Sequence, residues 1–251
     1  MSKMKAMVFA AGYGERLRPM TEKLPKALLP VGGRPMIEYP LLLLKRYGIR
    51  EIIVNLHHLG NQIEEYLGNG KRLGLKIHYS REEQLLDTGG GLLRVKPLLE
   101  DGTFVVINSD VLIDLALDDL LAFHRQKKAA ATLVLRTDPQ VDLYGPIETS
   151  ADSRIQKFLA HKASQSESAG PLTKLMFTGV QILEPKIFDY MESEPSRRFS
   201  TTKVTYPRML TQGEALYGFP FRGYWQDLGT AERIKEAEEK LATGEVKLHY
   251  L

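Results

Sequence analysis

The 251-residue chain contains no cysteine. That single absence excludes disulfides, thiolate metal centres and a cysteine nucleophile together. Long apolar runs are missing too. The leucine run at 41–44 falls far short of the roughly 20 apolar residues that a membrane-spanning helix needs. The short apolar stretch at 7–11 follows Lys3 and Lys5 but gives way at once to Gly12, Gly14 and charges, so it is too short for a secretory signal core. There is no internal repeat and no clean linker. With 43% hydrophobic and 26% charged residues, the chain is neither disordered nor fibrous, and it is long enough to bury a sizeable core. These features predict a soluble, cytoplasmic protein with no membrane partner.

A net charge of +3 hides an asymmetry. Residues 1–50 hold ten Lys or Arg against three acids, net +7, whereas the other 201 carry 24 against 28, net −4. A basic N-terminal fifth suits an anionic ligand better than a polyanion spread over the whole surface. No basic stripe is interleaved with aromatics, which argues against a nucleic-acid partner.

Hydrophobic patterning predicts strands at 6–11, 51–56, 75–80, 104–108 and 130–136, alternating with helices at 35–47, 60–67, 92–100 and 117–127. Pro40 is a blemish in the first of those helices. Apolar strands separated by helices predict an α/β fold with a doubly wound, mostly parallel sheet. After about residue 140 the strand candidates crowd together, at 144–149, 154–159, 176–183 and 216–221. That spacing predicts a mixed or antiparallel extension. A Ser, Ala and Gly-rich loop is expected at 163–170, and an amphipathic helix at 231–241. One domain is expected, with a first half to about 140, a second over about 141–230 and a helical tail over 231–251.

The strongest local signal is the loop Ala10-Ala11-Gly12-Tyr13-Gly14-Glu15-Arg16-Leu17, followed by Leu24-Pro25-Lys26. A strand running into Gly-x-Gly leaves backbone N–H groups free to meet phosphate oxygens. It fails as a dinucleotide fingerprint, because the third glycine would fall at Leu17, and no Lys-Ser/Thr pair follows as in a P-loop. Arg16 and Lys26 bring two fixed cations to the same loop.

Asp110 stands just beyond the apolar strand 104–108, at the sheet edge where ligands of open α/β folds gather. Asp227 lies in Trp225-Gln226-Asp227-Leu228-Gly229-Thr230. Each aspartate alone equally suits a cap or a turn. As a pair of carboxylates without cysteine they suit a hard cation such as Mg²⁺. In Asp87-Thr88-Gly89-Gly90-Gly91, three glycines at a helix entrance imply either close approach of a base or ribose, or a flexible turn. His57-His58 has no partner at metal-ligand spacing and is read as structural.

Taken in order, these motifs resemble the sugar-1-phosphate nucleotidyltransferases, or NDP-sugar pyrophosphorylases. Their signature Gly-x-Gly-x-Arg-Leu/Met-x-Pro-x-Thr…Pro-Lys runs here from Gly12 to Lys26. Asn108–Asp110 matches Asn-x-Asp, and Trp225–Thr230 matches Trp-x-Asp-Leu/Val-Gly-Thr. Glu82, the 86–91 segment and Phe177-Thr178-Gly179 look most like the N-acetylmuramate-1-phosphate uridylyltransferase branch, with mannose-1-phosphate guanylyltransferases as near neighbours. The resemblance implies a Rossmann-like fold with a sugar-binding extension, an NTP and a sugar 1-phosphate as substrates, and Mg²⁺ as cofactor. It also implies roles. Arg16 would hold the triphosphate and Lys26 the reacting phosphates, and Asp110 and Asp227 would hold the metal. Ala11, Gly12, Gly14 and Gly89 would line the nucleotide, with Glu82 facing its base. Asn108, Gly145, Lys162, Thr178 and Gly179 would meet the sugar phosphate. Two segments depart from the family pattern. Its Asn-Gly-Asp is Asn-Ser-Asp here, and its Phe-x-Glu-Lys-Pro reads Phe158-Leu159-Ala160-His161-Lys162-Ala163, without the glutamate.

Overall fold

The computed structural model describes residues 4–143, 145–164, 170–192, 194 and 197–251. Residue 144 of one expected strand, and residues 165–169 of the expected loop, lie outside this set. In chain order the strands are β1 (Lys5–Phe9), β2 (Pro30–Val31), β3 (Arg34–Pro35), β4 (Glu51–Leu56), β5 (Lys76–Arg81), β6 (Phe104–Asn108) and β7 (Val111–Ile113). They continue with β8 (Ala131–Arg136), β9 (Ile147–Thr149), β10 (Ile155–Phe158), β11 (His161–Lys162), β12 (Thr173–Leu183), β13 (Leu216–Pro220) and β14 (Trp225–Asp227). The α-helices are α1 (Glu38–Arg46), α2 (Gly60–Leu67), α3 (Asp87–Arg94), α4 (Lys96–Leu99), α5 (Leu117–Lys127), α6 (Tyr206–Thr211) and α7 (Ala231–Ala242). The fold is Rossmann-like α/β, as the alternation of elements predicts. No helix among the described residues is long and apolar enough to cross a membrane.

The chain divides into two compact units. The first gathers residues 1–85, 106–115 and 223–251. Its sheet runs β6-β1-β4-β5, with β1, β4 and β5 mutually parallel. Register sets Phe9 level with Asn55, and Asn55 level with Ser80, so the strand ends line up along one edge. β1, β4 and β6 are mostly apolar because they are buried, whereas the edge strand β5 leaves Lys76 and Arg81 exposed. Val8, Ile52, Ile53, Val54, Val106 and Ile107 are all fully buried. Each such side chain contributes about 1.5–3 kcal/mol relative to an exposed one. Pro40 does not interrupt α1. It is the third helical residue, within the first turn, where a backbone N–H has no intrahelical acceptor to lose. Beside this sheet, β7 and β14 form an antiparallel pair with Val111 opposite Asp227.

The second unit gathers residues 86–105 and 116–222. Its sheet is mixed and runs β11-β10-β9-β12-β8-β13. The long β12 is antiparallel to β9 at one end and to β8 at the other, with a register shift between Phe177 and Gln181. β13 lies parallel to β8.

The helix expected at 92–100 differs in the structure. α3 begins at Asp87 and takes Gly89, Gly90 and Gly91 into its own body, then breaks before α4. Pro97 explains the break, since in a continuous helix its ring would meet the carbonyl four residues back.

Candidate active site

In the first unit, β1 runs on into Ala10, Ala11 and Gly12. A Cβ at Gly12 would meet nothing within 4 Å, so the chain's own packing does not require a glycine there. Gly14 is different. It is left-handed at φ +66°, and a Cβ would stand 2.7 Å from Thr21 Cγ2 and 3.0 Å from Lys26 Cβ. Its carbonyl accepts from Thr21 Oγ1 at 2.9 Å, which closes the loop over the short turn Glu15–Leu17. The loop thus brings the Lys26 stem against Gly14.

Lys26 opens the turn Lys26–Leu28 behind Pro25, and its ammonium is paired with the carboxylate of Asp110. Asp110 follows β6 through Ser109, whose backbone N–H donates to Phe9 O at 3.0 Å. The backbone N–H of Leu228 in turn donates to Asp110 O at 2.9 Å. Together with the Val111–Asp227 register, this contact brings the two aspartates of distant sequence to neighbouring positions.

Asp227 Oδ2 accepts from Arg233 Nη1 at 2.6 Å, whereas its buried Oδ1 has no hydrogen-bond partner. A Cβ placed on Gly229 would fall 2.5 Å from that Oδ1 and 2.8 Å from Arg16 Cζ. Arg16 therefore occupies the space that glycine leaves beside Asp227. A buried carboxylate oxygen without a donor is costly unless a cation or a polar ligand meets it. No cluster of three or more His, Asp or Glu suited to a metal occurs among the described residues. Two carboxylates, with the remaining positions open to water and phosphate oxygens, fit Mg²⁺, which binds commonly in that way.

Glu82 lies just past β5 and is buried, with its Oε1 accepting from Asn55 Nδ2 at 2.8 Å. Asn55 Oδ1 accepts from the backbone N–H of Ala10 at 2.8 Å. His57 bonds Tyr13 and the Glu82 carbonyl, and His58 bonds the Thr21 carbonyl. The His pair thus stitches the loop to its surroundings. The structure brings Ala11, Gly12, Gly14, Arg16, Lys26, Glu82, Asn108, Asp110 and Asp227 into this one unit. Asn55, Tyr13 and Arg233 are participants that the motifs did not single out. The signal for Asn55 was present: like β6, β4 is an apolar run that ends on an asparagine-bearing edge.

The other expected residues belong to the second unit. A Cβ on Gly89 would stand 2.8 Å from Phe199 O, and the Phe199 ring fills the rest of that space. Gly89 N also donates to Phe199 O at 2.9 Å, so the glycines of α3 accommodate the chain's own 197–199 segment. Gly145 is left-handed at φ +82° and packs against Leu159, at 2.5 Å for a Cβ. Thr178 is buried, donating to Val134 O at 2.8 Å, and Gly179 holds φ +86° at the bulge of β12. Lys162 is exposed on β11, opposite Lys157.

Residues 5–244 match the nucleotidyl transferase family, and the chain belongs to it. It is 36% identical to N-acetylmuramate alpha-1-phosphate uridylyltransferase of Neisseria meningitidis, over 94% of this chain and 97% of that one. It is 33% identical to UTP–glucose-1-phosphate uridylyltransferase of Synechocystis, over 97% of this chain and 65% of that protein. It is 32% identical to mannose-1-phosphate guanylyltransferase of Mycobacterium tuberculosis, over 95% of this chain and 65% of that protein. The chain therefore spans just under two thirds of the length of the cyanobacterial and mycobacterial relatives, and nearly all of the neisserial one.

Proposed function

We propose that the chain transfers a nucleotidyl group from an NTP to a sugar 1-phosphate, giving an NDP-sugar and pyrophosphate. The observation that carries this reading is the Lys26–Asp110 pair set beside Asp227, whose buried Oδ1 lacks a partner. In the reaction a phosphate oxygen of the sugar 1-phosphate forms a bond to the α-phosphorus. The bond from the α-phosphorus to the bridging oxygen breaks, and pyrophosphate leaves with that electron pair. The nucleophile is already an anion, so no protein base is required. The difficulty is to bring two polyanions together and to stabilise charge as it shifts. Arg16 binds the triphosphate and Lys26 neutralises the oxygens around the reacting phosphorus. Asp110 and Asp227 are the residues that would hold Mg²⁺, which when bound screens the phosphates of both substrates from each other.

UTP and an N-acetylmuramate 1-phosphate-like acceptor are the favoured pair, in a cytoplasmic reaction that supplies cell-wall precursors. Support comes from the neisserial relative, which matches this chain along nearly its whole length. On this reading Ala11, Gly12 and Gly14 line the nucleotide and Glu82 faces the base, whereas the space at Gly89 is taken by Phe199. Asn108 faces the sugar phosphate. The alternative is a guanylyl reading with mannose or heptose 1-phosphate, of which the mycobacterial relative supports mannose. A Glu82 carboxylate can accept the one imino N–H of uracil or the two N–H groups on guanine's edge.

The test is pyrophosphate release across a grid of NTPs and sugar 1-phosphates, with Mg²⁺ and with EDTA. Turnover with UTP and N-acetylmuramate 1-phosphate supports the favoured pair, and turnover with GTP alone replaces it by the guanylyl reading. If wild type and Asp110→Asn are equally inert on the whole grid, the chain is a nucleotide-binding relative without catalysis.

A further inference from the structure

Asn55 joins two parts of the first unit that the proposed reaction uses separately. Its Oδ1 accepts from Ala10 N, at the start of the phosphate loop, and its Nδ2 donates to Glu82 Oε1, both at 2.8 Å. A backbone N–H can only donate, so its partner must be the amide oxygen, and the NH₂ group is left facing the carboxylate. Asn55 is 3% exposed and Glu82 6%, so water does not substitute for this tie. A second connection runs in parallel. His57 Nδ1 lies 2.9 Å from the Glu82 carbonyl, and Nε2 lies 2.9 Å from the Tyr13 hydroxyl. The carbonyl can only accept, so Nδ1 donates, and in the neutral ring Nε2 accepts from Tyr13. Residue 82 is thereby fastened to the loop through its side chain and through its backbone.

We propose that Asn55 is a positioning residue for nucleobase choice: it holds Glu82 as a carboxylate that only accepts hydrogen bonds, in fixed relation to the phosphate loop. The site then takes bases that present a ring N–H, namely uracil, thymine or guanine. Adenine and cytosine are disfavoured, because the ring nitrogen on that edge carries a lone pair that would face a carboxylate oxygen. This inference rests on the reading that Glu82 faces the base.

Asn55→Asp is the informative substitution, since it keeps shape and the acceptor for Ala10 while turning the donor into an oxygen. At low pH one proton shared between residues 55 and 82 stands in for the amide N–H. As pH rises both carboxylates ionise and repel in a buried place. The other titratable groups nearby are His57 on the Glu82 carbonyl, Tyr13 on His57, and Arg81 and Glu83 on either side in sequence. Their responses are common to wild type, so the profile is read as the ratio of variant to wild type.

KM for each NTP and for the sugar 1-phosphate, kcat, and nucleotide binding by calorimetry are measured from pH 6 to 8.5, with Tm alongside. The expected result is a near-normal NTP KM at pH 6 that rises about tenfold or more by pH 8.5. The sugar-phosphate KM tracks wild type, and Tm falls below wild type only as pH rises, because the same repulsion weakens the fold. In the double variant Asn55→Asp with Glu82→Gln, the rise disappears because the second charge is gone. A flat ratio for Asn55→Asp overturns the inference, and so does a fall in kcat and Tm with a rise in both KM values that is already complete at pH 6, which a purely structural tie would give. Glu82→Gln alone judges the underlying reading. Unchanged preference among NTPs in that variant removes Glu82 from base recognition, whatever the Asn55 profile shows.

Discussion

The guanidinium of Arg16 lies over Gly229, filling the space in which a side chain at that position would begin. A Cβ there would stand 2.8 Å from Arg16 Cζ and 2.5 Å from Asp227 Oδ1. Both obstacles are the far ends of side chains, so Gly229→Ala should cost little stability while pushing Arg16 and the Asp227 carboxylate aside. NTP KM is expected to rise on the order of tenfold with Tm within about 2 °C of wild type. Steady-state kinetics with a thermal melt checks this, and an unchanged KM would separate Arg16 from triphosphate binding.

Lys26→Ala removes the ammonium paired with Asp110. Loss of one donor to a developing transition-state charge lowers turnover about 10²-fold or more. The fall should be in kcat rather than in sugar-phosphate KM, read from saturation curves at fixed Mg²⁺. Full turnover in the variant would exclude Lys26 from the chemistry.

Asp227→Asn tests the cation. It keeps the shape and the link to Arg233 while halving the carboxylate charge available beside Asp110. The Mg²⁺ concentration for half-maximal activity should move upward about 10-fold or more. A titration curve that overlays that of wild type would mean the metal is held elsewhere.

Gly89→Ala reverses an ordinary rule. In a helix interior such a change usually gains up to about 1 kcal/mol. Here the methyl group would meet Phe199 O at 2.8 Å as well as the Phe199 ring. A net loss of about 1–3 kcal/mol is expected, measured by urea denaturation. A stabilised variant would show that the 197–199 segment yields freely.

His124 supplies a pH dependence. Burial pushes its imidazole below the ordinary 6.5, partly opposed by the hydrogen bond with Glu184. The folded pKa lies under the unfolded one, so the stability linked to this residue is complete above 6.5. It is lost as pH falls from there through the folded value, because the unfolded chain binds the proton more readily. Tm of wild type should therefore drop more steeply between pH 7 and 5 than Tm of His124→Gln. Parallel melting profiles would assign the acid sensitivity to other groups.

Much of this could be read from residue patterns. The runs Glu51–Leu56, Phe104–Asn108 and Leu117–Lys127 form the expected elements with the expected limits, because burial makes them apolar at strand or helix spacing. Asp110 and Lys26 stand out as candidates only jointly, a carboxylate beyond a strand end with a cation in the glycine loop, since an aspartate alone there suits a cap or a turn. Their pairing was not legible, since it depends on a chain separation of 84 residues and on how the strands align. The α3 glycines were misplaced at a helix entrance for a related reason: what approaches them is Phe199, more than a hundred residues away in sequence. Short pieces such as β7 and β14, three residues each, carry too little pattern to stand out. Asn55 marks a sheet edge in the sequence, but its role as a tie depends on the two partners that the fold brings to it.

The antiparallel pair β7 and β14 also bears on the order in which the protein becomes competent. Residues 5–110 carry the phosphate loop, both cations and the first aspartate, but Asp227 and its clamp Arg233 arrive from a stretch more than a hundred residues later. During synthesis the growing chain can order the parallel strands long before β7 has a partner. The anion-binding half is then in place while the second carboxylate is still inside the ribosome. On the proposed function, activity is then the last property the chain acquires, and one that any truncation ahead of residue 227 withholds.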